Sequence, residues 1–137
     1  RAERTAAERG WKNVSLICKD MLNYEPAVAA DSAIFCLSLS VMNSYREMIK
    51  KAVRYVKPGG IIVVADSWKK KGRWYNPIAN AYIDFKAPLV SSDPDNDLPE
   101  HIMENLTDVE ITSRLCGVYA VATGRSPILH CTGNRSL

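Results

Sequence analysis

The sequence contains no glycine-rich loop. Its seven glycines include one adjacent pair, Gly59-Gly60, so no cradle of the kind that holds nucleotide phosphates is encoded. There is no Gly-x-Ser-x-Gly elbow, the usual mark of an α/β-hydrolase nucleophile. The four cysteines, Cys18, Cys36, Cys116 and Cys131, form no Cys-x-x-Cys pair. That spacing argues against a zinc site or a thioredoxin-like centre. Cys18 and Cys36 lie in apolar runs, where a reduced thiol behaves as a small hydrophobe. His101 and His130 are far apart and lack metal-ligand spacing, so both are expected at the surface and no metal is expected. No apolar run is long enough to span a bilayer, and no charged-then-apolar leader is present. The expectation is a soluble, cytoplasmic protein. Charge of one sign is scarce too: 18 Lys and Arg face 15 Asp and Glu, a formal +3, which is too little to imply a nucleic-acid partner. Lys69-Lys70-Lys71 with Arg73 reads as a solvated loop.

What is present suits one domain spanning residues 1–137. Apolar residues make up 47% and charged residues 24%, so the chain can bury a core and is not of disordered composition. The first ten residues read as a helix ending at Gly10. Val14 to Cys18 is a short β-prone run that stops at Lys19-Asp20. Ser32 to Leu39 is nearly continuous apolar sequence, the pattern of a strand covered on both faces. From Ser44 to Val56, Tyr45, Met48, Ile49, Ala52, Val53 and Val56 form one helical stripe, with Ser44 and Glu47 in capping-box spacing. Lys57-Pro58-Gly59-Gly60 stops that helix, and Ile61 to Ala65 follows as a second buried strand ending at Asp66. Strand, amphipathic helix and strand make a βαβ unit with a right-handed crossover. Asn76-Pro77 opens another helix, with Ile78, Ala81, Tyr82, Phe85 and Leu89 as its apolar stripe. Asp97 is placed to cap a short helix through Leu106. Val109 to Ser113 and Val118 to Thr123 read as a closing pair of strands.

Functional groups in such sheets lie beyond the carboxyl ends of the strands. That directs attention to Asp20, to Ser38 through Met42, and to Asp66 through Trp68. Asp20 is able to accept a hydrogen bond from an exocyclic amine, or to cap the next turn. Ser38, Leu39 and Ser40 suit a pocket floor or a plain strand end. Asp66 suits a substrate-orienting group, a base or a cap. Trp68, Trp74, Tyr75 and Tyr82 suit an aromatic lid over an apolar substrate, or the core. Asp93 to Glu104 has the length of a calcium loop, but Leu98 stands where the sharp turn needs Gly, so helix capping is the better account of its carboxylates. The Asn-x-Ser/Thr triplets at Asn13, Asn105 and Asn134 are read as chance matches.

The order of these elements resembles class I S-adenosylmethionine-dependent methyltransferases, in particular their ubiquinone/menaquinone C-methyltransferase-like branch. The resemblance rests on Asp20-Met21 after a strand and on the small-residue segment Ser38-Leu39-Ser40. It rests also on an amphipathic helix running into Val56-Lys57-Pro58-Gly59-Gly60, and on the hairpin from Val109 to Arg125. It covers roughly Ala7 to Pro127. It implies a Rossmann-like α/β sheet, mostly parallel, with a C-terminal antiparallel hairpin. It implies S-adenosyl-L-methionine as cofactor, with Asp20 on the adenine amine, Met21 against the ring, and Ser38, Leu39 and Ser40 beside the methionine part and the transferred methyl. The acceptor, a small molecule, would be shaped by Asp66, Trp68, Trp74, Tyr75 and Tyr82. No catalytic base is implied, because the transfer is chiefly an alignment of nucleophile and sulfonium. The family's opening strand, glycine-rich loop and second strand do not occur in these residues. The expectation is therefore a partial domain that is inactive alone, with open sheet edges that favour a homo-oligomer. Two other readings compete. One is a non-enzymatic α/β interaction module with a degenerate methyltransferase fold. The other is a fragment of a different Rossmann-type enzyme such as a dehydrogenase, against which the antiparallel hairpin argues.

Overall fold

The computed structural model describes residues 1–69, 76–90, 93, 96–114 and 118–128. Helix α1, Ala2–Glu8, is held by alanine propensity and an Arg4–Glu8 pair at 3.5 Å. Gly10 ends it in the left-handed region, φ +63, where its N–H reaches Ala7 O and the Trp11 N–H reaches Ala6 O.

The strand expected at Val14 to Cys18 does not form; those residues are irregular and exposed. A β-prone run becomes a strand only against a neighbour, and none of the four strands flanks it. Cys18 and Cys36 are likewise exposed rather than packed.

Strand β1, Ala30–Cys36, is shorter than its apolar run. Leu37 turns into the left-handed region, φ +49, and breaks the pleat before a 3-10 turn at Leu39–Val41. Only one face of β1 is covered: Phe35 is buried, whereas Ile34 is 71% exposed. Helix α2, Tyr45–Tyr55, follows and buries Met48, Ile49 and Ala52. Ser44 makes no side-chain cap, so the capping box read from Ser44 and Glu47 is not realised.

Strand β2, Val56–Asp66, starts where α2 stops and takes in the whole Lys57-Pro58-Gly59-Gly60 segment. Those residues form a local irregularity against β1, where the register slips between Ala30 and Ser32. Both glycines are required there. Gly59 has φ +77, and a Cβ on Gly60 would lie 2.6 Å from Asp31 O and from Val56 Cγ1. Ser126 fastens the segment, exchanging backbone hydrogen bonds with Gly59 and Gly60 and donating its hydroxyl to Val53 O.

Helix α3, Asn76–Val90, and helix α4, Leu98–Asn105, precede the hairpin of β3, Thr107–Arg114, and β4, Tyr119–Arg125. The sheet order is β1-β2-β4-β3. β1 and β2 are parallel, and the other two pairings are antiparallel. The expected mostly parallel sheet is thus a mixed, mainly antiparallel one, because the chain makes a single βαβ crossover and closes with a hairpin. The core lies between one sheet face (Phe35, Ile62, Val64, Ala120, Ala122) and α2 with α4, with Leu39, Trp68 and Leu106 filling its ends.

Helix α3 presents the opposite face to the one its bulky stripe suggests. Ala79, Ile83 and Ala87 are buried, while Ile78, Phe85 and Leu89 are exposed. His101, expected at the surface, is buried on α4. Its Nε2 lies 3.3 Å from Arg46 O and 3.2 Å from Asn105 Nδ2, and its Nδ1 lies 3.4 Å from Glu104. No described helix is long and apolar enough to cross a membrane.

Candidate functional site

The carboxyl ends of β1 and β2 lie side by side, since the strands are parallel. At the end of β2, Asp66 is 1% exposed. Its Oδ2 accepts hydrogen bonds from the Leu39 and Ser40 N–H groups, at 2.9 and 3.1 Å, and its Oδ1 accepts one from Ser67 N at 2.8 Å. The Leu39 and Ser40 groups are the N–H groups that a 3-10 turn leaves unpaired at its start. Asp66 therefore ties the turn after β1 to the end of β2. Its geometry is that of a brace: it caps the preceding turn across the sheet and also takes the first N–H of the segment that follows it.

Above this brace is a cleft of about 290 Å³. Leu37, Ser40 and Val41 border it from the β1 side, Asp66 and Ser67 from β2, and Val118 and Tyr119 from the start of β4. Helix α3 closes it with Tyr82, Ile83, Lys86 and Ala87. Apolar walls thus enclose a few polar groups, the usual make-up of a small-molecule site. The Lys86 ammonium stands 5.9 Å from the centre of the Tyr82 ring, a cation–π distance one helical turn along α3.

The structure gathers three of the residues singled out in the sequence, Ser40, Asp66 and Tyr82, in that cleft. Ser38 is half-buried just before the turn. Leu39 and Trp68 are in the core. Asp20 is exposed and caps a short 3-10 turn, Met21–Asn23, accepting from Leu22 N at 2.9 Å and from Asn23 Nδ2 at 3.3 Å. Met21 packs on the core edge and lines a separate groove with Ser15, Leu16, Ile17, Lys19 and Tyr24. Trp74 and Tyr75 lie outside the described residues. Sequence reasoning missed Lys86 and Tyr119. Lys86 was legible as the residue four places after Tyr82, whereas nothing local marks Tyr119.

The groups with perturbed titrations, Glu25, Asp31, Tyr45, Arg46, Lys51 and Asp97, do not line this cleft. The Asp97 carboxyl accepts from the Tyr45 hydroxyl and the Arg46 guanidinium, and both hold its pKa below the ordinary aspartate range. Burial, then the same carboxylate, pushes the Tyr45 hydroxyl up. Asp97 gives no side-chain cap to α4; Asn96 Oδ1 accepts from Leu98 N instead. Asp97 is thus committed to a helix-to-helix tie. Among the described residues no group of three His, Cys, Asp or Glu is arranged to hold a metal.

No protein-family model and no curated protein matches the chain. Solved structures do match. The N-methyltransferase NodS from Bradyrhizobium japonicum WM9, in complex with S-adenosyl-L-homocysteine, superposes with a TM-score of 0.66 at 17% identity, covering 93% of this chain and 62% of its own. An O-methyltransferase family protein from Burkholderia thailandensis gives 0.71 at 20% identity, over 94% and 41%. The [4+2]-cyclase SpnF gives 0.67 at 20% identity, over 93% and 62%. The chain therefore spans less than two thirds of these proteins. The likeness is one of fold: an α/β domain with a mixed sheet, shared with S-adenosylmethionine-dependent methyltransferases.

Proposed function

We propose that this chain carries the acceptor side and part of the cofactor side of an S-adenosylmethionine-dependent methyltransferase acting on a small molecule. The observation that carries the reading is the cleft at the parallel strand ends, where Ser40, Asp66 and Tyr82 meet in a fold shared with such enzymes. Bound there, S-adenosylmethionine would supply a methyl group already activated on a sulfonium. The protein's task is then to align the acceptor with it. Ser38 and Ser40 flank the methyl end, Tyr82 the acceptor, and Asp66 positions the turn that carries Ser40. The likeness in sequence order to the ubiquinone/menaquinone C-methyltransferase-like branch extends this reading to a carbon or oxygen nucleophile on a small ring.

The fit to the cofactor is partial. Ser40 opens into the cleft, while Met21, next to Asp20, opens into a different groove. The two ends thus line separate pockets. This chain alone is accordingly expected to bind cofactor weakly and to be inactive. The test is a titration with S-adenosylhomocysteine followed by amide NMR. Millimolar affinity is expected, with shifts at Asp20–Met21 and at Ser38–Ser40. Micromolar affinity would overturn the weakness, and shifts confined to other segments would overturn the assignment.

The second reading is a non-enzymatic α/β interaction module, and the open sheet edge is its route to a homo-oligomer. The exposed Ile78, Phe85 and Leu89 of α3 favour it. The [4+2]-cyclase neighbour is a reminder that this fold hosts other activities.

A further inference from the structure

We propose that the cleft between β2 and α3 takes a small aromatic acid, with its carboxylate on Lys86 and its ring against Tyr82 and Tyr119. The inference deepens the methyltransferase reading by naming the acceptor class, and it rests on that reading only for the word acceptor. Three observations support it.

The first is charge. Among the described residues the cleft holds one acidic side chain, Asp66, and both of its oxygens are committed to backbone N–H groups. The nearest acid on α3, Asp84, is paired with Lys69 at 2.7 Å. Among the described residues Lys86 is the one cationic side chain lining the cleft, and it makes no ion pair with any of them, so its ammonium is open to an incoming anion. A lone ammonium at the rim of an apolar pocket selects a monoanion.

The second is shape and lining. Val41, Ile83 and Val118 make the lining apolar, and Tyr82 and Tyr119 add two aromatic side chains to it. A flat hydrocarbon body satisfies such a surface better than a sugar or a polyamine does. At about 290 Å³, the space suits one ring and its substituents, at the lower end of ligand-pocket sizes.

The third is preorganisation. Lys86 already stands over the Tyr82 ring, so an incoming carboxylate meets a partly ordered ammonium and less side-chain freedom is lost on binding. Ser40 and Ser67 line the same cleft, and a hydroxyl there is a partner for a polar ring substituent.

The probes are 4-hydroxybenzoate and its neutral counterpart 4-hydroxybenzamide, titrated without cofactor and followed by amide NMR. The acid is expected to bind about tenfold more tightly than the amide, the size of one charge-assisted hydrogen bond in a partly solvated site. Shifts are expected at Ser40, Val41, Ile83 and Tyr119. Lys86→Met should abolish the preference, and Lys86→Arg should keep it. Equal affinities, a preference that survives Lys86→Met, shifts outside the cleft, or no binding of either probe up to millimolar concentration would each overturn the proposal. Because no cofactor is present, the result is independent of the S-adenosylhomocysteine titration. Acid binding without cofactor binding would leave the cleft assigned and the methyltransferase reading refuted; the reverse would do the opposite.

Discussion

Asp66 places three hydrogen bonds on one buried side chain, and its two neighbours in the cleft depend on them. Replacing it with Asn keeps the shape but turns one acceptor into a donor facing the N–H groups of Leu39, Ser40 or Ser67. The expected cost is about 2 kcal/mol or more, since each buried N–H left unpaired costs about 1–3 kcal/mol. Urea unfolding of Asp66→Asn would show it as a lower midpoint with an unchanged slope. The acid's affinity should fall as well, because Ser40 is no longer held at the wall. An unchanged midpoint would mean the brace is not structural. Gly60 and Gly59 offer a second residue-scale test. Alanine at Gly60 overlaps backbone, so a loss of about 1–3 kcal/mol is expected from overpacking. Alanine at Gly59 meets open space and pays only for its φ of +77, about 1–2 kcal/mol for a left-handed residue. A larger loss at Gly59 than at Gly60 would contradict the close approach of β2 to Asp31.

Among the elements, α3 is the one whose sequence misleads. The bulky residues Ile78, Tyr82, Phe85 and Leu89 share one face, and amphipathic reasoning buries that face. The structure buries Ala79, Ile83 and Ala87 instead, and turns Ile83 and Ala87 to the cleft. Ile83, 3% exposed, should therefore cost about 2–4 kcal/mol as alanine, in the range of core truncations. Phe85, 71% exposed, should cost almost nothing. Thermal unfolding of the two variants decides which face is inside, and the reverse order would restore the amphipathic reading. The tie between α2 and α4 has its own signature. Asp97 titrates below its ordinary range when folded, so its stabilisation is complete above the unfolded carboxylate value and is lost as pH falls through the lowered folded one. Glu25 beside Lys51 and Asp31 beside Lys57 behave in the same sense. Asp97→Asn should flatten the acid limb of the stability curve without altering its shape near neutrality, where Tyr45 and Arg46 keep their charge states. An unchanged acid limb would remove Asp97 from that account.

At the scale of the whole molecule, the sequence made the βαβ unit and the hairpin legible, because helix period, the Lys57-Pro58-Gly59-Gly60 break and strand alternation are local signals. It did not reveal that Val14 to Cys18 stays unpaired, since pairing is a property of neighbours and β-propensity is not. It marked Ser40, Asp66 and Tyr82 by their places at strand ends and on a helix, but Tyr119 enters the cleft only through the register of β4 on β2. The same non-local logic leaves β1 at one margin of the sheet, where among the described residues it pairs with β2 alone. Ile34 stands exposed on its uncovered face, with Val63 beside it on β2. An exposed apolar strand with unpaired backbone groups on one side is a template for another chain. We therefore expect concentration-dependent self-association, visible in sedimentation velocity as a faster-moving boundary at higher loading. Ile34→Lys puts a charge on that face without touching the core, so it should return the chain towards monomer while leaving the urea midpoint within about 0.5 kcal/mol of the parent, as exposed substitutions do. If Ile34→Lys associates as strongly as the parent, the contact does not run through β1. The exposed stripe of α3 then becomes the surface to test, with Phe85→Lys in its place.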